Sequence, residues 1–370
     1  MDNISEFDIK LEKEIYYAGE VIHGHVILHT TENFKLRSMR LSLRGQAHAE
    51  WKISVSGDRR SVKDDQYFVD ERIVVWGHDS PEGPIPILPR GKHKFPFTFN
   101  LPESALPYSF ESRTGYIRYY VKATVDRPYA SPPQGLKYFT LIGPHIDCMD
   151  EHYLKPTIGT EIQSSCFCCR RNPVELSAQL ERSAYVCGES IKLRASIDNR
   201  GIEKAWLHVA LTQHVEFFIE RGVLGASKEI QKVVMEYKGE PVVPGTAVQW
   251  DSSRKMILPI CPPSLLGVCR LIRIYYVLKV SVQLEKSGED MQMYFPITVA
   301  TVPFRIPNLP HPKIKYEMAV DHVEGGCYVG PEFLLGQVYD GTDHLTSQTP
   351  LVLYRPVYVC IASEKKLQNQ

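Results

Sequence analysis

Three cysteines in one short stretch are the residues best placed to carry chemistry. Cys166, Cys168 and Cys169 form the sequence C-F-C-C, directly before Arg170 and Arg171. A structural zinc ion takes four ligands, and no second pair of cysteines or histidines lies near this stretch at a suitable spacing. Reversible palmitoylation is the stronger hypothesis, because basic residues beside an acylated cysteine favour an anionic membrane surface. The remaining alternative is a stretch of reduced, unmodified thiols.

Two histidines on one predicted strand are the next candidates for a metal site. His23 and His25 project from the same strand face, and a solvated face explains them better than a metal centre does. The sequence contains no glycine-rich phosphate loop, no G-x-S-x-G and no H-E-x-x-H. Its Ser, His and Asp residues show no spacing typical of a catalytic triad. We therefore expect a protein that is not an enzyme and that has no catalytic, cofactor-binding or metal-binding residues.

The elements that must position these residues are predicted to be strands. Apolar and polar residues alternate with period two in both halves of the chain, which is typical of strands with one buried and one solvated face. No long amphipathic helix is evident. Many short strands separated by Gly, Pro, Asn and Asp predict an all-β fold. The clearest predicted strands are Phe7–Leu11, Met39–Leu43, Phe95–Leu101, Ile117–Val125, Val174–Leu180, Ile191–Ile197, Leu207–Leu211 and Ile274–Val282.

One short motif occurs twice, which indicates a duplicated domain. Tyr-x-x-Gly-Glu-x-Ile spans Tyr16–Ile22 and recurs at Tyr185–Ile191, 169 residues later. We expect each copy to turn the same corner, with the glycine permitting the reversal and the tyrosine hydroxyl bonding to the backbone. Farther along, Leu101-Pro102 and Leu258-Pro259 match at an offset of 157. The first copy is thus 12 residues longer, and we predict exposed loops at 56–65 or 80–92 as the place of the extra length.

The repeat sets the predicted domain boundaries. We predict two tandem β-sandwich domains, at 1–147 and 173–306, joined by a Cys-containing connector at 148–172. Four prolines in the twelve residues of V-P-F-R-I-P-N-L-P-H-P-K then mark the exit from the second core. We predict a mobile tail at 307–370.

Composition narrows the functional classes. The 43 basic residues balance the 43 acidic ones, so net charge gives no reason to expect nucleic acid as a partner. No stretch approaches the roughly 18 apolar residues that cross a bilayer, and the first residues do not form a secretory signal. Nine cysteines without a regular framework fit reduced thiols. We therefore expect a cytoplasmic protein.

Three stretches carry a resemblance to a known family. F-D-I-K-L-E-K-E-I-Y-Y-A-G-E-V-I-H-G-H-V-I-L resembles the opening of an arrestin N-domain. L-P-R-G-K-H-K-F-P-F-T-F-N-L-P-E-S-A-L-P-Y-S-F-E-S-R-T-G-Y-I-R-Y-Y-V-K-A-T-V-D-R-P-Y resembles the most characteristic stretch of that domain in the α-arrestins. V-E-L-S-A-Q-L-E-R-S-A-Y-V-C-G-E-S-I is similar to the start of their C-domain. The resemblance covers roughly residues 5–305 and implies two arrestin-type (immunoglobulin-like) β-sandwiches joined by a short hinge.

The resemblance also implies a function. Its members are adaptors that bind cytoplasmic segments of receptors and transporters and recruit HECT-type ubiquitin ligases, which promotes endocytosis and sorting. It therefore implies protein binding and protein transport from the cytoplasm, with recruitment to the plasma membrane and endosomes and with peripheral membrane association. One member binds thioredoxin through a cysteine whose place is taken here by Ala247, so we do not expect thioredoxin binding.

The link to a ligase depends on a Pro-Pro-x-Tyr motif, which the sequence lacks. Such a motif works because its prolines form an extended helix that lies in the aromatic groove of a WW domain. The nearest match in the tail is Arg355-Pro356-Val357-Tyr358, with arginine in the first position. Pro356 and Tyr358 are therefore a degenerate WW-ligand candidate, and an ordinary tail segment is the alternative.

Two further functions stay open from the sequence alone. A retromer-subunit-like trafficking scaffold would share the arrestin fold. A redox-linked regulator would capture a thiol protein through Cys187, Cys261 or Cys269.

Overall fold

The strands predicted in both halves of the chain are confirmed. The structure is a computed structural model that describes residues 4–319 and 354–362, with gaps at 56, 79–82, 129–131, 133, 163–172, 221–224, 253–255 and 287. Within these residues the only helical element is the single 3₁₀ turn Glu151–Tyr153, and all other elements are strands. The fold is therefore all-β.

Eleven strands make up the N-terminal half. They are β1 (Ile4–Leu11), β2 (Ile15–Tyr17), β3 (Val21–Thr30), β4 (Phe34–Lys35), β5 (Ser38–Val55), β6 (Asp58–Gly77), β7 (Ile87–Leu88), β8 (Gly91–Asn100), β9 (Phe110–Glu111), β10 (Gly115–Asp126) and β11 (Gln134–Ile142).

Eleven more strands follow in the second half. They are β12 (Thr157–Ile162), β13 (Val174–Leu180), β14 (Ala184–Tyr185), β15 (Leu193–Asn199), β16 (Ala205–Ile219), β17 (Ala226–Val242), β18 (Thr246–Asp251), β19 (Ile272–Leu284), β20 (Gly288–Val299), β21 (Ile314–Met318) and β22 (Val357–Ile361).

The two halves form tandem sandwiches with the same strand order, except that β12 is an additional edge strand in the C-terminal one. The N-terminal sandwich packs the sheet β1-β3-β8 against β2-β11-β10-β5-β6, and the C-terminal sandwich packs β12-β13-β15-β18 against β14-β20-β19-β16-β17. In each copy a short second strand pairs in parallel with the last strand of its sandwich, while its neighbours pair antiparallel. The predicted inward faces are buried, as at Leu41, Val121, Leu176 and Val280. Domain duplication therefore extends from the repeated motif to the order of all the strands in the two sandwiches other than β12.

The repeated motif builds the same corner in both sandwiches. Gly19 and Gly188 have φ angles of 80° and 87°, in the left-handed region that glycine tolerates best. The hydroxyl of Tyr16 accepts a hydrogen bond from the backbone N–H of Lys13, at 3.2 Å. In the second copy Tyr185 accepts one from Lys192, at 3.1 Å. The predicted roles of the glycine and the tyrosine are thus confirmed.

The motif glutamate has a role that the sequence did not reveal. Glu20 accepts a hydrogen bond from the N–H of Tyr17 at 3.0 Å, and Glu189 accepts one from Val186 at 2.9 Å. Each carboxylate therefore closes its own turn by taking up a backbone donor that the turn leaves free.

One predicted loop is wrong. The stretch 56–65 contains no long loop, because β6 begins at Asp58 and pairs with β5 along the full hairpin. The extra length of the first copy lies mainly at the other predicted place. Residues 78–90 connect β6 to β8, whereas the three residues 243–245 connect β17 to β18.

The predicted Cys-containing connector and the predicted mobile tail contain paired strands that the sequence analysis did not identify. The predicted connector contains β12, which pairs antiparallel with β13 and forms one edge of the C-terminal sandwich. The predicted mobile tail contains β21 and β22, which pair antiparallel with each other. The tail pairing was hidden because β21 and β22 lie far apart in the sequence, whereas β12 pairs with the next strand along the chain.

Candidate interaction surface at the domain junction

Two long hairpins meet where the sandwiches join. The β5–β6 hairpin of the N-terminal sandwich lies beside the β16–β17 hairpin of the C-terminal one. The ammonium of Lys228 donates to the hydroxyl of Thr114 across this joint, at 2.9 Å. A Cβ atom on Gly115 would lie 2.6 Å from the His48 carbonyl oxygen and 3.1 Å from the Phe217 ring. Glycine is therefore required at that position by the neighbouring strand of its own sandwich, and a side chain there would also crowd Phe217 of the other domain.

An arginine–aspartate pair fastens the joint. Two guanidinium nitrogens of Arg270 bond to the Asp64 carboxylate, at 3.0 and 3.3 Å, and one of them also donates to the Asp65 carbonyl at 2.9 Å. The Asp64 side chain is 0% exposed and that of Arg270 is 35% exposed. A buried carboxylate needs such a partner, because an unpaired charge is costly to remove from water. The hydrogen bond from Asp64 raises the pKa of Arg270 above its ordinary value.

A shallow groove of ≈ 440 Å³ opens on the N-terminal sandwich where Thr114 and Gly115 approach the C-terminal one, and we call it the junction groove. It is lined by His48, Glu50, Trp51, Lys52, Ser61, Ser112, Arg113, Thr114, Gly115, Tyr116 and Arg118. Exposed Lys52 and Arg113 bring positive charge to it, and Glu50 brings negative charge. Trp, Tyr and Arg are the residue types that most often dominate binding energy at protein interfaces.

Stacked side chains hold one wall of the junction groove in place. The His48 ring stacks on Tyr116 with centroids 5.1 Å apart, and the Arg118 guanidinium lies 3.4 Å from the Tyr116 ring centroid. The ring nitrogens of His48 face two carboxylates, Asp65 at 2.8 Å and Glu50 at 3.5 Å. The wall is therefore preorganised, with aromatic faces fixed before any partner binds.

A buried ion pair supports the wall from behind. Arg118 donates two hydrogen bonds to the Glu111 carboxylate, at 2.7 and 3.1 Å. Burial raises the pKa of Glu111 to about 7, and the bonds from Arg118 oppose the rise. Glu111 therefore changes charge near neutral pH.

A second open area lies on the outer face of the C-terminal sandwich. Two shallow depressions of ≈ 340 and ≈ 450 Å³ share Gln179, Arg194 and Asp251 as lining residues. Most of their lining residues are polar or charged, and the one aromatic side chain among them is Trp250. This face lacks the stacked tyrosine, histidine and arginine of the junction groove.

The histidines of the predicted metal alternative lie on the outer face of β3. His23 shares a hydrogen bond with the Thr98 hydroxyl at 3.2 Å. Burial lowers the pKa of His25, and Lys94 and Lys10 lower it further. Within the described part of the chain, no three His, Cys, Asp or Glu residues are grouped as metal ligands would be.

The degenerate WW-ligand candidate lies in a different environment from the one predicted. Pro356 is buried, and Tyr358 is 2% exposed and lies in β22. A WW domain needs both side chains exposed in an extended proline-type helix. The prediction of a freely accessible ligand therefore does not fit this conformation, and WW binding requires release of the segment.

The cysteines divide into two groups. The candidate palmitoylation sites Cys166, Cys168 and Cys169 lie outside the described residues. Cys187, Cys261 and Cys269, which the redox alternative requires, are all buried. Burial raises the pKa of Cys269, which disfavours its reactive thiolate.

Sequence reasoning missed Asp64 and Arg270, which lie 206 residues apart. Asp64 follows Val62 on the same face of β6, opposite the buried Ala49 of β5. That alternation is a signal that could have placed Asp64 inward. No comparable sequence signal pointed to Arg270 as its partner.

None of the described residues forms a helix with the length and hydropathy that crossing a bilayer requires.

Comparison with known proteins gives two domain matches. Residues 5–147 match the family described as Arrestin (or S-antigen), N-terminal domain. Residues 170–304 match the family described as Arrestin (or S-antigen), C-terminal domain.

Curated relatives match over most of the chain. Arrestin domain-containing protein 4 of Homo sapiens is 30% identical over 299 residues, covering 79% of this chain and 69% of that protein. Arrestin domain-containing protein 17 of Caenorhabditis elegans is 28% identical, covering 86% and 76%. Thioredoxin-interacting protein of Pongo abelii is 25% identical, covering 74% and 68%.

Proposed function

The chain belongs to the arrestin family, as an arrestin-domain protein related to the α-arrestins, and from this premise we propose that it is a non-enzymatic adaptor whose junction groove binds cytoplasmic segments of membrane proteins. The observation that carries this proposal is the groove itself. It is open, it combines aromatic and charged side chains, and it lies on the N-terminal sandwich next to the contact of Thr114 with Lys228 of the other sandwich. Such a site suits a short peptide segment that adapts to a fixed surface.

An exposed sheet edge beside the groove adds backbone groups for such a segment. β6 is the outer strand of its sheet, and Tyr67 and Val74 on it are exposed. An extended peptide can pair with an open edge and place alternate side chains in neighbouring pockets. The edge supplies affinity that does not depend on sequence, and the groove supplies selectivity.

Substitutions in the two open areas test the cargo proposal. The probe is an array of synthetic peptides that covers the cytoplasmic segments of plasma-membrane receptors and transporters, incubated with the purified full chain. We expect Arg113→Glu and Trp51→Ala to weaken peptide binding roughly tenfold, as hot-spot residues do. The matched control is Arg194→Glu on the outer face of the C-terminal sandwich, which should leave binding unchanged. Loss with Arg194→Glu alone, or no captured peptide, would contradict the assignment.

We further propose that the adaptor connects its cargo to HECT-type ubiquitin ligases and endocytic sorting machinery, through Pro356 and Tyr358. This part predicts recruitment from the cytoplasm to the plasma membrane and endosomes, with palmitoylation at Cys166, Cys168 or Cys169 as an added anchor. Proximity labelling in cells tests it, comparing the wild-type chain with Pro356→Ala. Enrichment of HECT ligases that disappears in the variant supports the proposal, and no ligase in either sample removes it.

The two alternatives keep distinct tests. A retromer-subunit-like scaffold would co-purify in a stable stoichiometric complex. A redox-linked regulator is less well supported, because capture of an external thiol would require the buried Cys187 and Cys261 to become exposed.

A further inference from the structure

Two buried cysteines of the C-terminal sandwich are in contact, although 74 residues separate them in the sequence. Cys187 belongs to the repeated corner motif, and Cys261 lies in the segment between β18 and β19. The Cys187 sulfur lies 3.4 Å from the Cys261 carbonyl oxygen and 3.5 Å from the Cys261 backbone nitrogen. The Cys261 thiol also hydrogen-bonds to the Cys187 sulfur. Sulfur atoms in such contact are within reach of a disulfide, whose Cα atoms lie up to about 7 Å apart.

The contact gives the two thiols different reactivities. The hydrogen bond from Cys261 lowers the pKa of Cys187 below its ordinary value, although burial opposes this shift. The same hydrogen bond, together with burial, raises the pKa of Cys261 well above its ordinary value. The thiolate is the nucleophilic form of cysteine. Cys187 is therefore the attacking sulfur of the pair, and Cys261 is the thiol that keeps its proton.

Filling the core at this corner does not require cysteines. In the N-terminal sandwich Ala18 takes the place of Cys187 in the repeated motif. Leu106 takes the place of Cys261, because each directly precedes the proline whose carbonyl accepts a hydrogen bond from the buried tyrosine of its sandwich. Leu106 is buried and Ala18 packs against the core. Apolar side chains thus fill the corner in one copy, so packing alone does not explain two thiols in contact in the other.

The segment that carries Cys261 is also part of the joint between the sandwiches. The Pro262 carbonyl accepts a hydrogen bond from the Tyr276 hydroxyl at 2.5 Å, and the Pro263 carbonyl accepts one from Tyr108 of the N-terminal sandwich. A covalent bond at Cys261 would therefore tie the corner of the C-terminal sandwich to residues that the other sandwich contacts.

We propose that Cys187 and Cys261 are a dithiol modification site that closes to an internal disulfide on reaction with hydrogen peroxide, and that the bond holds segment 258–265 against the corner. The oxidant must be small, because the two residues are only 1% and 0% exposed. Capture of a thiol protein would need both sulfur atoms to reach the surface, whereas an internal bond joins them where they lie. The site is independent of the proposed adaptor function.

The reaction balances with one peroxide as the oxidant. The Cys187 thiolate attacks one peroxide oxygen, so that an S–O bond forms and the O–O bond breaks. The hydroxide that leaves takes up the proton released by Cys187 and becomes water, and Cys187 is left as a sulfenic acid. The Cys261 sulfur then attacks the Cys187 sulfur, so that the S–S bond forms and the S–O bond breaks. The second hydroxide leaves as water with the proton of Cys261, and the two sulfur atoms have lost two electrons to the peroxide.

Peptide mapping of the full chain tests the site. The chain is treated with hydrogen peroxide, its remaining thiols are blocked with iodoacetamide, and its tryptic peptides are analysed by mass spectrometry without reduction. We expect a peptide pair that joins Cys187 to Cys261 and that dithiothreitol separates. Cys187→Ala should abolish this pair. The matched control is Cys269→Ala, which should leave it unchanged, because the buried Cys269 thiol contacts Gln66 instead of a second cysteine. No linked pair, or a pair that joins Cys187 to neighbouring Cys360, would overturn the assignment.

Hydrogen exchange tests what the bond does to the joint. The amides of residues 258–265 should exchange roughly fivefold more slowly in the oxidised chain than in the reduced chain, because a disulfide opposes local opening. Dithiothreitol should reverse the change. The equivalent segment 101–110 of the N-terminal sandwich is the internal reference and should not change, and peroxide should have no effect on either segment in Cys187→Ala. Equal exchange of 258–265 in the two forms, or the same slowing in Cys187→Ala, would contradict the proposal.

Discussion

The same corner is built in two environments. In the N-terminal copy Lys13 and Glu20 form an ion pair at 3.0 Å with side chains 55% and 33% exposed. In the C-terminal copy Arg182 and Glu189 pair at 3.1 Å, and their side chains are 8% and 10% exposed. Arg182 also lies over the Tyr185 and Phe304 rings. Backbone geometry is thus shared between the copies, whereas the contribution of the ion pair to stability depends on how deeply its side chains are buried.

A second pair of positions shows the same divergence. Tyr119 and Tyr276 are equivalent buried tyrosines, and each donates to a proline carbonyl, at 2.7 and 2.5 Å. Opposite Tyr119 lies Gly45, where an added Cβ would come within 2.4 Å of the ring. Opposite Tyr276 lies Gln213, whose amide donates to the tyrosine hydroxyl at 2.8 Å. One copy makes room for the ring by omitting a side chain, and the other bonds to it.

The corner ion pairs should give the largest difference. Arg182→Ala leaves the Glu189 carboxylate buried without its charge partner, and we expect a loss of about 3 kcal/mol in the free energy of unfolding. Lys13→Ala should cause no measurable loss, because its pair is exposed to solvent. Urea unfolding followed by circular dichroism compares the two variants. Equal losses would show that burial does not determine how much the ion pair at this corner contributes to stability.

The tyrosine sites should differ less. Gly45→Ala forces the Tyr119 ring to move, and we expect it to lower the free energy of unfolding by about 2 kcal/mol. Gln213→Ala removes one hydrogen bond from Tyr276, which keeps its bond to the Pro262 carbonyl, and we expect about 1 kcal/mol. The same unfolding assay measures both. A larger loss with Gln213→Ala would reverse the comparison.

The buried acid of the N-terminal copy should make stability depend on pH. At the position equivalent to Glu111 the C-terminal copy has Leu266, because Phe110 pairs with Ile117 as Leu265 pairs with Ile274. Since the pKa of Glu111 is raised to about 7 from 4.5, the folded chain binds the proton more tightly than the unfolded chain. The contribution of Glu111 to stability is therefore favourable at low pH and is lost as pH rises from about 4.5 to 7.

The matched variant for this effect is Glu111→Gln, which cannot titrate. Between pH 5 and 7.5 the wild type should lose on the order of 1.5 kcal/mol more stability than the variant. Urea unfolding across that pH range is the measurement. Parallel pH profiles would place the pKa of Glu111 in its ordinary range.

The repeated tyrosines should give the smallest difference of all. Tyr16→Phe and Tyr185→Phe each remove one hydrogen bond to a backbone N–H, so each should cost about 1 kcal/mol. The two losses should agree within the error of the unfolding assay. A clear difference between the two losses would mean that the same hydrogen-bond geometry contributes different free energies in the two copies.

Much of the fold was predictable because it depends on local alternation. Residues such as Leu41 and Val280 face the core in strands whose polar neighbours face solvent, and a period of two reveals this directly. The β5–β6 hairpin was harder, since its charged end extends beyond the region where one face must be apolar. β22 was missed because it pairs with β21 across a long interval and is buried by both sandwiches.

The site was less predictable than the fold. Trp51, Tyr116 and Arg113 are ordinary residues in the sequence, and the long-range pairing of β10 with β5 brings them to one groove. Strand β22 shows the limit from the other side. The tail sequence drew attention to Pro356 and Tyr358 as a ligand, but it contained no sign that both side chains are buried.

The parallel strands β2 and β14 have a consequence for how such a chain arose. Each lies near the beginning of its sandwich and pairs with the last strand, so both ends of a module are neighbours in space. The far ends of the two modules are also adjacent, at Asp147 and Val302. A module whose two ends are adjacent can be duplicated in tandem as one gene segment. Neither copy then has to change the path of its backbone.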